Sequence, residues 1–210
     1  MLPMPMLRGI CLIGKLSRFV EPVIGRFARG LHRLGLKPNH ITVMSFCCSL
    51  AAALSFVLVA DHSLKEASAG ILLLLSGFFD ATDGIMARLY GEESNFGAFL
   101  DSILDRVSEI ILYSALMYSK LVDWWLGLTA LSASLMVSYA RARGEQLGAK
   151  MKGVGIAERP ERLLILAAAT FLDQLNVGVL LIALLSVITV LQRIIRARSM
   201  MVNAQHHDKE

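Results

Sequence analysis

The apolar residues of this 210-residue chain are gathered into blocks of about twenty, the length at which a helix crosses a hydrocarbon core about 30 Å thick. Hydrophobic side chains make up 55% of the sequence, an excess that a soluble domain of this length does not need and a polytopic membrane protein does. Six blocks stand out, near 40–60, 69–90, 97–119, 122–141, 158–173 and 175–194. The fifth is the shortest in purely apolar residues and starts among the charges of ERPER. The expected fold class is therefore all-α, a polytopic membrane protein with six transmembrane helices.

Cations orient these helices. Arg8, Lys15, Arg18, Arg26, Arg29, Arg33 and Lys37 precede the first block, and Arg88 lies at the second-to-third turn. Arg141 to Arg162 fill the fourth-to-fifth connection, and Arg193, Arg196 and Arg198 follow the last block. With both termini in the cytoplasm every basic cluster falls on one side, and Trp124 and Trp125 fall at the opposite interface. The predicted location is the cell membrane, multi-pass, with the active site on the cytoplasmic face. The net charge of +4 is modest and confined to these boundaries, so no nucleic-acid partner is expected. Cys11, Cys47 and Cys48 have neither metal nor disulfide spacing and read as small buried hydrophobes.

The first part of the chain follows a different rule. Ile13, Leu16, Val20, Val23, Ile24, Phe27, Leu31 and Leu34 share one side of a helical wheel, and Lys15, Arg18, Arg26, Arg29 and Arg33 the other. That pattern predicts an amphipathic helix in the headgroup plane over residues 1–38, kinked or divided at Pro22. The membrane domain then covers 39–198, and 199–210 reads as a disordered cytoplasmic tail.

Four aspartates interrupt the apolar blocks in DATDGIMARLYGEESNFGAFLDSILD. Asp80 and Asp83 are three residues apart and share a helix face; Asp101 and Asp105, four apart, share another. Two helices joined by a short turn bring the pairs face to face, within about 12–16 Å of the cytoplasmic boundary at about 1.5 Å rise per residue. Holding each carboxylate ionised at that depth costs at least about 2.5 kcal/mol. Ion pairs with Arg88 or Arg106 are one way to offset it, but two arginines cannot neutralise four acids. Divalent cations can, and an all-oxygen ligand set favours Mg²⁺ or Mn²⁺. Gly84 lies one turn after Asp80 and Gly97 one turn before Asp101, opening the backbone to a flat group; Ala87 extends the opening and Arg88 offers a planar fork to phosphate. Together these residues describe a nucleotide diphosphate site.

The run Asp80-x-x-Asp83-Gly84-x-x-Ala87-Arg88, eight residues, then Gly97-x-x-x-Asp101-x-x-x-Asp105 resembles the complete signature of the CDP-alcohol phosphotransferases. The likeness extends to the six spans, the N-terminal helix and the lead Lys37-Pro38-Asn39-x-x-Thr42 into the first span. It implies transfer from a CDP-linked lipid to a small alcohol with release of CMP. It also implies two Mg²⁺ or Mn²⁺ ions on Asp80, Asp83, Asp101 and Asp105, with Asp105 as the catalytic base. Asn39, Thr42, Asp83, Gly84, Ala87, Arg88 and Gly97 would line the cytidine and diphosphate, and the family implies a homodimer.

The acceptor is read from YARARGEQLGAKMKGVGIAERPERL. Arg159 and Arg162, three apart on one face, are placed to grip an acceptor phosphate, and Arg141 and Lys152 join them as candidates. The arrangement R-A-R-x-E…G-x-x-E-R-P-E-R is similar to the branch of the family that uses inositol 1-phosphate to make phosphatidylinositol phosphate or archaetidylinositol phosphate. Glycerol 3-phosphate is the alternative acceptor. A cation transporter would not require Gly84, Ala87 and Arg88 at these offsets, and a membrane prenyltransferase would show paired D-D-x-x-D-like clusters.

Overall fold

Short polar signals cut the apolar chain into helices. Pro38 takes the first turn of a helix, where its missing N–H is not needed. The side chains of Asp61 and Ser94 accept from the N–H groups of Leu64 and Gly97 at 2.8 and 3.0 Å and open two more. Gly91, at φ +64°, closes the helix between those two caps in the left-handed conformation that glycine adopts without strain. The computed structural model describes residues 12–151 and 153–207, with side chains from Glu21 to Met201. Seven helices and no strand occur among the described residues: α1 Leu12–Arg33, α2 Pro38–Leu58, α3 His62–Tyr90, α4 Asn95–Tyr118, α5 Trp124–Gln146, α6 Arg159–Phe171 and α7 Leu175–His207.

Three of these, Pro38–Leu58, His62–Tyr90 and Leu175–Met201, are long and apolar enough to cross a membrane. The other three of the bundle fall short for identifiable reasons. α4 carries Asp101, Asp105, Arg106 and Glu109, and α5 ends in Arg141, Arg143 and Glu145. α6 has 13 residues, a rise of about 20 Å, less than the hydrocarbon thickness. The core between the helices is built from small and branched residues, among them Ala52, Ala53, Leu73, Leu112, Ala130, Val179 and Ile182. Ser45 and Ser49 on α2 bond Ser76 on α3 at 3.2 and 2.7 Å, satisfying polar groups where no water reaches. Leu54, Ile71, Ile110, Leu128, Leu180, Leu184 and Leu191 point outward, an apolar exterior suited to lipid.

Several expectations need correction. Pro22 does not divide α1, which is one helix from Leu12 to Arg33. Its described apolar residues do two jobs: Ile24 and Ala28 are buried, α1 packing against α3, whereas Val23 and Phe27 remain exposed, and Arg26, Arg29 and Arg33 face outward. Residues 1–11 of the expected interfacial helix lie outside the described residues. Cys47 is exposed and Cys48 half-buried, so α2 turns them outward; Cys11 is not described. The chain beyond 198 is helical as far as His207, because neither Gly nor Pro interrupts the helix-forming run after Arg196.

The fourth-to-fifth connection is a folded insert. Ala149, Met151 and Ala157 are buried in it. On α7, the Thr189 hydroxyl accepts from the N–H groups of Ile156 and Ala157 at 3.2 and 3.1 Å. Arg193 donates to the carbonyls of Val154 and Val137 at 2.8 and 2.5 Å and to Glu158 at 3.1 Å. These bonds fix the start of α6 against the bundle.

Candidate active site

The turn from Gly91 to Ser94 sends α4 back beside α3. α2 packs against both helices, and α6 against α3. Side chains of α3 and α4 therefore meet in the space between them. Carboxylate oxygens of Asp80, Asp101 and Asp105 all lie within 4.8 Å of one another. Asp83, only 7% exposed, sits one turn from Asp80 on α3. Asp83 Oδ2 and Asp101 Oδ1 are buried with no hydrogen-bond partner. Orphaned buried carboxylate oxygens are costly, and hard divalent cations are the ligands that all-oxygen clusters of this kind accept. The residues present fit Mg²⁺ or Mn²⁺.

Arg159, at the start of α6, supplies the cation that the cluster does contain. Its Nη1 bonds Asp80 and lies 2.7 Å from Asp105 Oδ1. The sequence offered Arg88 or Arg106 as partners for the acids and reserved Arg159 for the acceptor. The geometry gives Arg159, the first residue of α6, to the aspartates. Arg106 instead donates to the carbonyl of Ser102 at 2.5 Å on its own helix.

Two cavities open from the aspartates. One, of about 210 Å³, is lined by Asn39, Thr42, Asp83, Gly84, Ala87, Arg88 and Gly97, together with Glu92, Glu93, Ala98 and Asp101. Every residue that the sequence placed around the nucleotide lines it. A Cβ on Gly97 would stand 2.9 Å from Asn39 Oδ1 and 3.0 Å from Ser94 Oγ, so an added methyl would have to displace the ends of those two side chains. The other cavity, of about 310 Å³, begins at Ala98, Asp101 and Asp105 and is walled by Arg106, Arg141, Arg159, Arg162 and Arg193. Ala98 and Asp101 belong to both.

The candidate acceptor residues divide. Arg141 lines the second cavity and pairs with Glu145 at 3.1 Å on an exposed helix edge. Arg162 lines it too, but it is 3% exposed and held from within. It bonds Glu109 at 2.5 and 3.2 Å and the Ala157 carbonyl at 2.8 Å. Arg162 and Arg159 share a helix face as expected and serve different carboxylates. Lys152 lies outside the described residues. Glu109, Glu158 and Arg193 were missed. Glu109 continues the Asp101–Asp105 face by one more turn, a signal present in the spacing. Arg193 read only as one of the cations after the last span, and nothing in its neighbours marks it as buried.

The sequence profile of the family described as CDP-alcohol phosphatidyltransferase matches residues 36–205. The archaetidylinositol phosphate synthase of Pyrococcus horikoshii is 37% identical over 187 residues, covering 89% of this chain and 97% of that protein. The crystal structure of Mycobacterium tuberculosis phosphatidylinositol phosphate synthase with CDP-DAG bound is 32% identical, with a TM-score of 0.69 over 84% of this chain and 94% of that one. The same relative has been solved with manganese and citrate, again with a TM-score of 0.69, over 83% and 88% of the two chains.

Proposed function

Because this chain belongs to the CDP-alcohol phosphatidyltransferase family, we propose that it transfers the phosphatidyl-type group of a CDP-linked lipid to inositol 1-phosphate and releases CMP. The donor is CDP-diacylglycerol or CDP-archaeol. The observation that carries the reading is the pair of cavities meeting at Ala98 and Asp101. The cavity with the glycines and Arg88 suits a nucleotide diphosphate. The arginine-walled cavity suits a phosphorylated alcohol, to which the guanidinium groups of Arg141 and Arg159 can donate. Glycerol 3-phosphate is the second reading, since it brings the same phosphate. Membership of the family sets aside the prenyltransferase and transporter readings.

Asp80, Asp83, Asp101 and Asp105 would hold two Mg²⁺ or Mn²⁺ ions, which neutralise the diphosphate when bound. Asn39, Thr42, Gly84, Ala87, Arg88 and Gly97 seat the cytidine and diphosphate. Arg141 and Arg159 draw the acceptor phosphate into the second cavity, and Lys152 joins them in the proposal. Arg162, held by Glu109, shapes the wall. Asp105 lines the acceptor cavity and takes the proton of the attacking hydroxyl. The new bond joins that oxygen to the lipid-linked phosphorus, and the bond to the CMP oxygen breaks with its electron pair leaving on CMP.

The proposal includes six spans, α2 to α7, with both termini and the site on the cytoplasmic side and α1 in the headgroup plane, in a homodimer. The placement of cations supports that orientation. The test is CMP release from CDP-lipid by purified protein, against inositol 1-phosphate, glycerol 3-phosphate and free inositol, with Mg²⁺ or with EDTA. Turnover is expected with inositol 1-phosphate and metal only. Comparable rates with free inositol would overturn the acceptor assignment, and full rates in EDTA the metal assignment.

A further inference from the structure

The Arg159 guanidinium stands between two binding regions. It bonds Asp80 and Asp105, two of the three carboxylates whose oxygens lie within 4.8 Å of one another. It also lines the arginine-walled cavity. Its side chain is 13% exposed, so the carboxylates rather than water offset most of its charge. Arg162, three residues on, is committed on several of its N–H groups to Glu109 and Ala157. Arg193 is committed to Val154, Val137 and Glu158. Among the arginines of that wall, Arg159 is the one whose carboxylate partners are themselves the candidate metal ligands.

We propose that Arg159 and divalent cations compete for the oxygens of Asp80 and Asp105, and that metal loading releases the guanidinium to a phosphate in the adjoining cavity. One oxygen cannot lie 2.7 Å from a guanidinium nitrogen and also ligate a cation without repulsion between the two positive charges. Arg159 is thereby an exchanging ligand that couples the two sites. Metal strengthens phosphate binding, and by linkage phosphate strengthens metal binding by the same factor. The coupling orders assembly of the site, since an acceptor phosphate finds Arg159 available only where the aspartates have another cation. It rests on the metal reading of the aspartates given above.

Mn²⁺ binding to purified protein in nanodiscs, followed by electron paramagnetic resonance without CDP-lipid, tests the competition apart from turnover. Arg159→Gln should bind Mn²⁺ more tightly than wild type, by roughly tenfold if the guanidinium occupies the carboxylates about nine-tenths of the time. In wild type, inositol 1-phosphate should tighten Mn²⁺ binding, and this effect should be absent from Arg159→Gln. The wild-type titration needs no variant and stands if Arg159→Gln folds poorly. Unchanged or weaker Mn²⁺ affinity in a folded Arg159→Gln protein, or no effect of inositol 1-phosphate on wild type, would overturn the competition. Absence of Mn²⁺ binding from every form would instead remove the metal reading beneath it.

Discussion

The two cavities that meet at Asp101 are made differently. The nucleotide side is open and under-satisfied. Its glycines leave room, and two carboxylate oxygens of Asp83 and Asp101 are buried without partners. The arginine side is nearly self-sufficient: Arg141 has Glu145, Arg159 has Asp80 and Asp105, Arg162 has Glu109, and Arg193 has Glu158. One side waits for charge to be supplied from outside. The other holds positive charge in place with internal acids, and a dianionic phosphate must draw on groups already engaged. That contrast predicts two separable consequences of truncating an arginine here, one for the fold and one for the substrate.

Asp105→Asn strikes where the cavities join and should have the largest effect. The amide keeps the shape but cannot accept the proton, so kcat should fall by roughly 10²–10⁴-fold, the usual contribution of a general base. CDP-lipid binding, measured by equilibrium dialysis, should be largely retained. A variant within tenfold of wild type would remove Asp105 from the base role and leave the cavities unexplained by the chemistry.

Arg162→Ala probes the self-satisfied side. Glu109 would keep its burial and lose its partner, a change that destabilises by about 3–5 kcal/mol. Thermal unfolding in detergent should show a clear fall in Tm. Replacing both members, Arg162→Leu with Glu109→Leu, should recover much of the loss, because no uncompensated charge remains. If Arg162→Ala instead leaves Tm unchanged and alters only the acceptor KM, Arg162 is a phosphate ligand and the contrast between the cavities is weaker than drawn.

The same contrast governs what could be read from the sequence. Apart from Asn39 and Thr42 on α2, the sequence-proposed residues of the nucleotide side lie on one stretch from Asp83 to Gly97, and helical periodicity alone places Asp, Gly and Arg at usable offsets. The arginine side gathers from α4, α5, α6 and α7, and its geometry depends on how Thr189 and Arg193 hold the insert between α5 and α6. No local pattern reports that. The sharing of a helix face by Arg159 and Arg162 was legible; that each meets a different acid was not, since Asp80 and Glu109 come from α3 and α4. The charges that make the site also blurred the membrane pattern. They lowered the apolar character of α4 and α5, and α6 keeps the charged start of the fifth block, Arg159, Glu161 and Arg162, within its 13 residues.

The central claim is that the two cavities take separate substrates, and a crossed pair of variants tests it most directly. Gly97→Ala puts a Cβ 2.9 Å from Asn39 Oδ1 on the nucleotide side. The methyl would push the Asn39 amide aside, and losing one neutral hydrogen bond to the nucleotide costs about 0.5–1.5 kcal/mol, or roughly two- to tenfold in the KM for CDP-lipid. Arg141→Ala removes a half-exposed cation from the acceptor side; its pair with Glu145 contributes only about 0.2–1 kcal/mol to stability. Losing a charge-assisted bond to phosphate costs about 1.5–3 kcal/mol, roughly ten- to 150-fold in the acceptor KM. Both KM values would be measured for each variant at saturating co-substrate and metal. The account predicts that Gly97→Ala raises the KM for CDP-lipid and leaves that for inositol 1-phosphate near wild type, and that Arg141→Ala does the reverse. Both variants raising the same KM, or each raising both equally, would contradict the division of the site at Asp101.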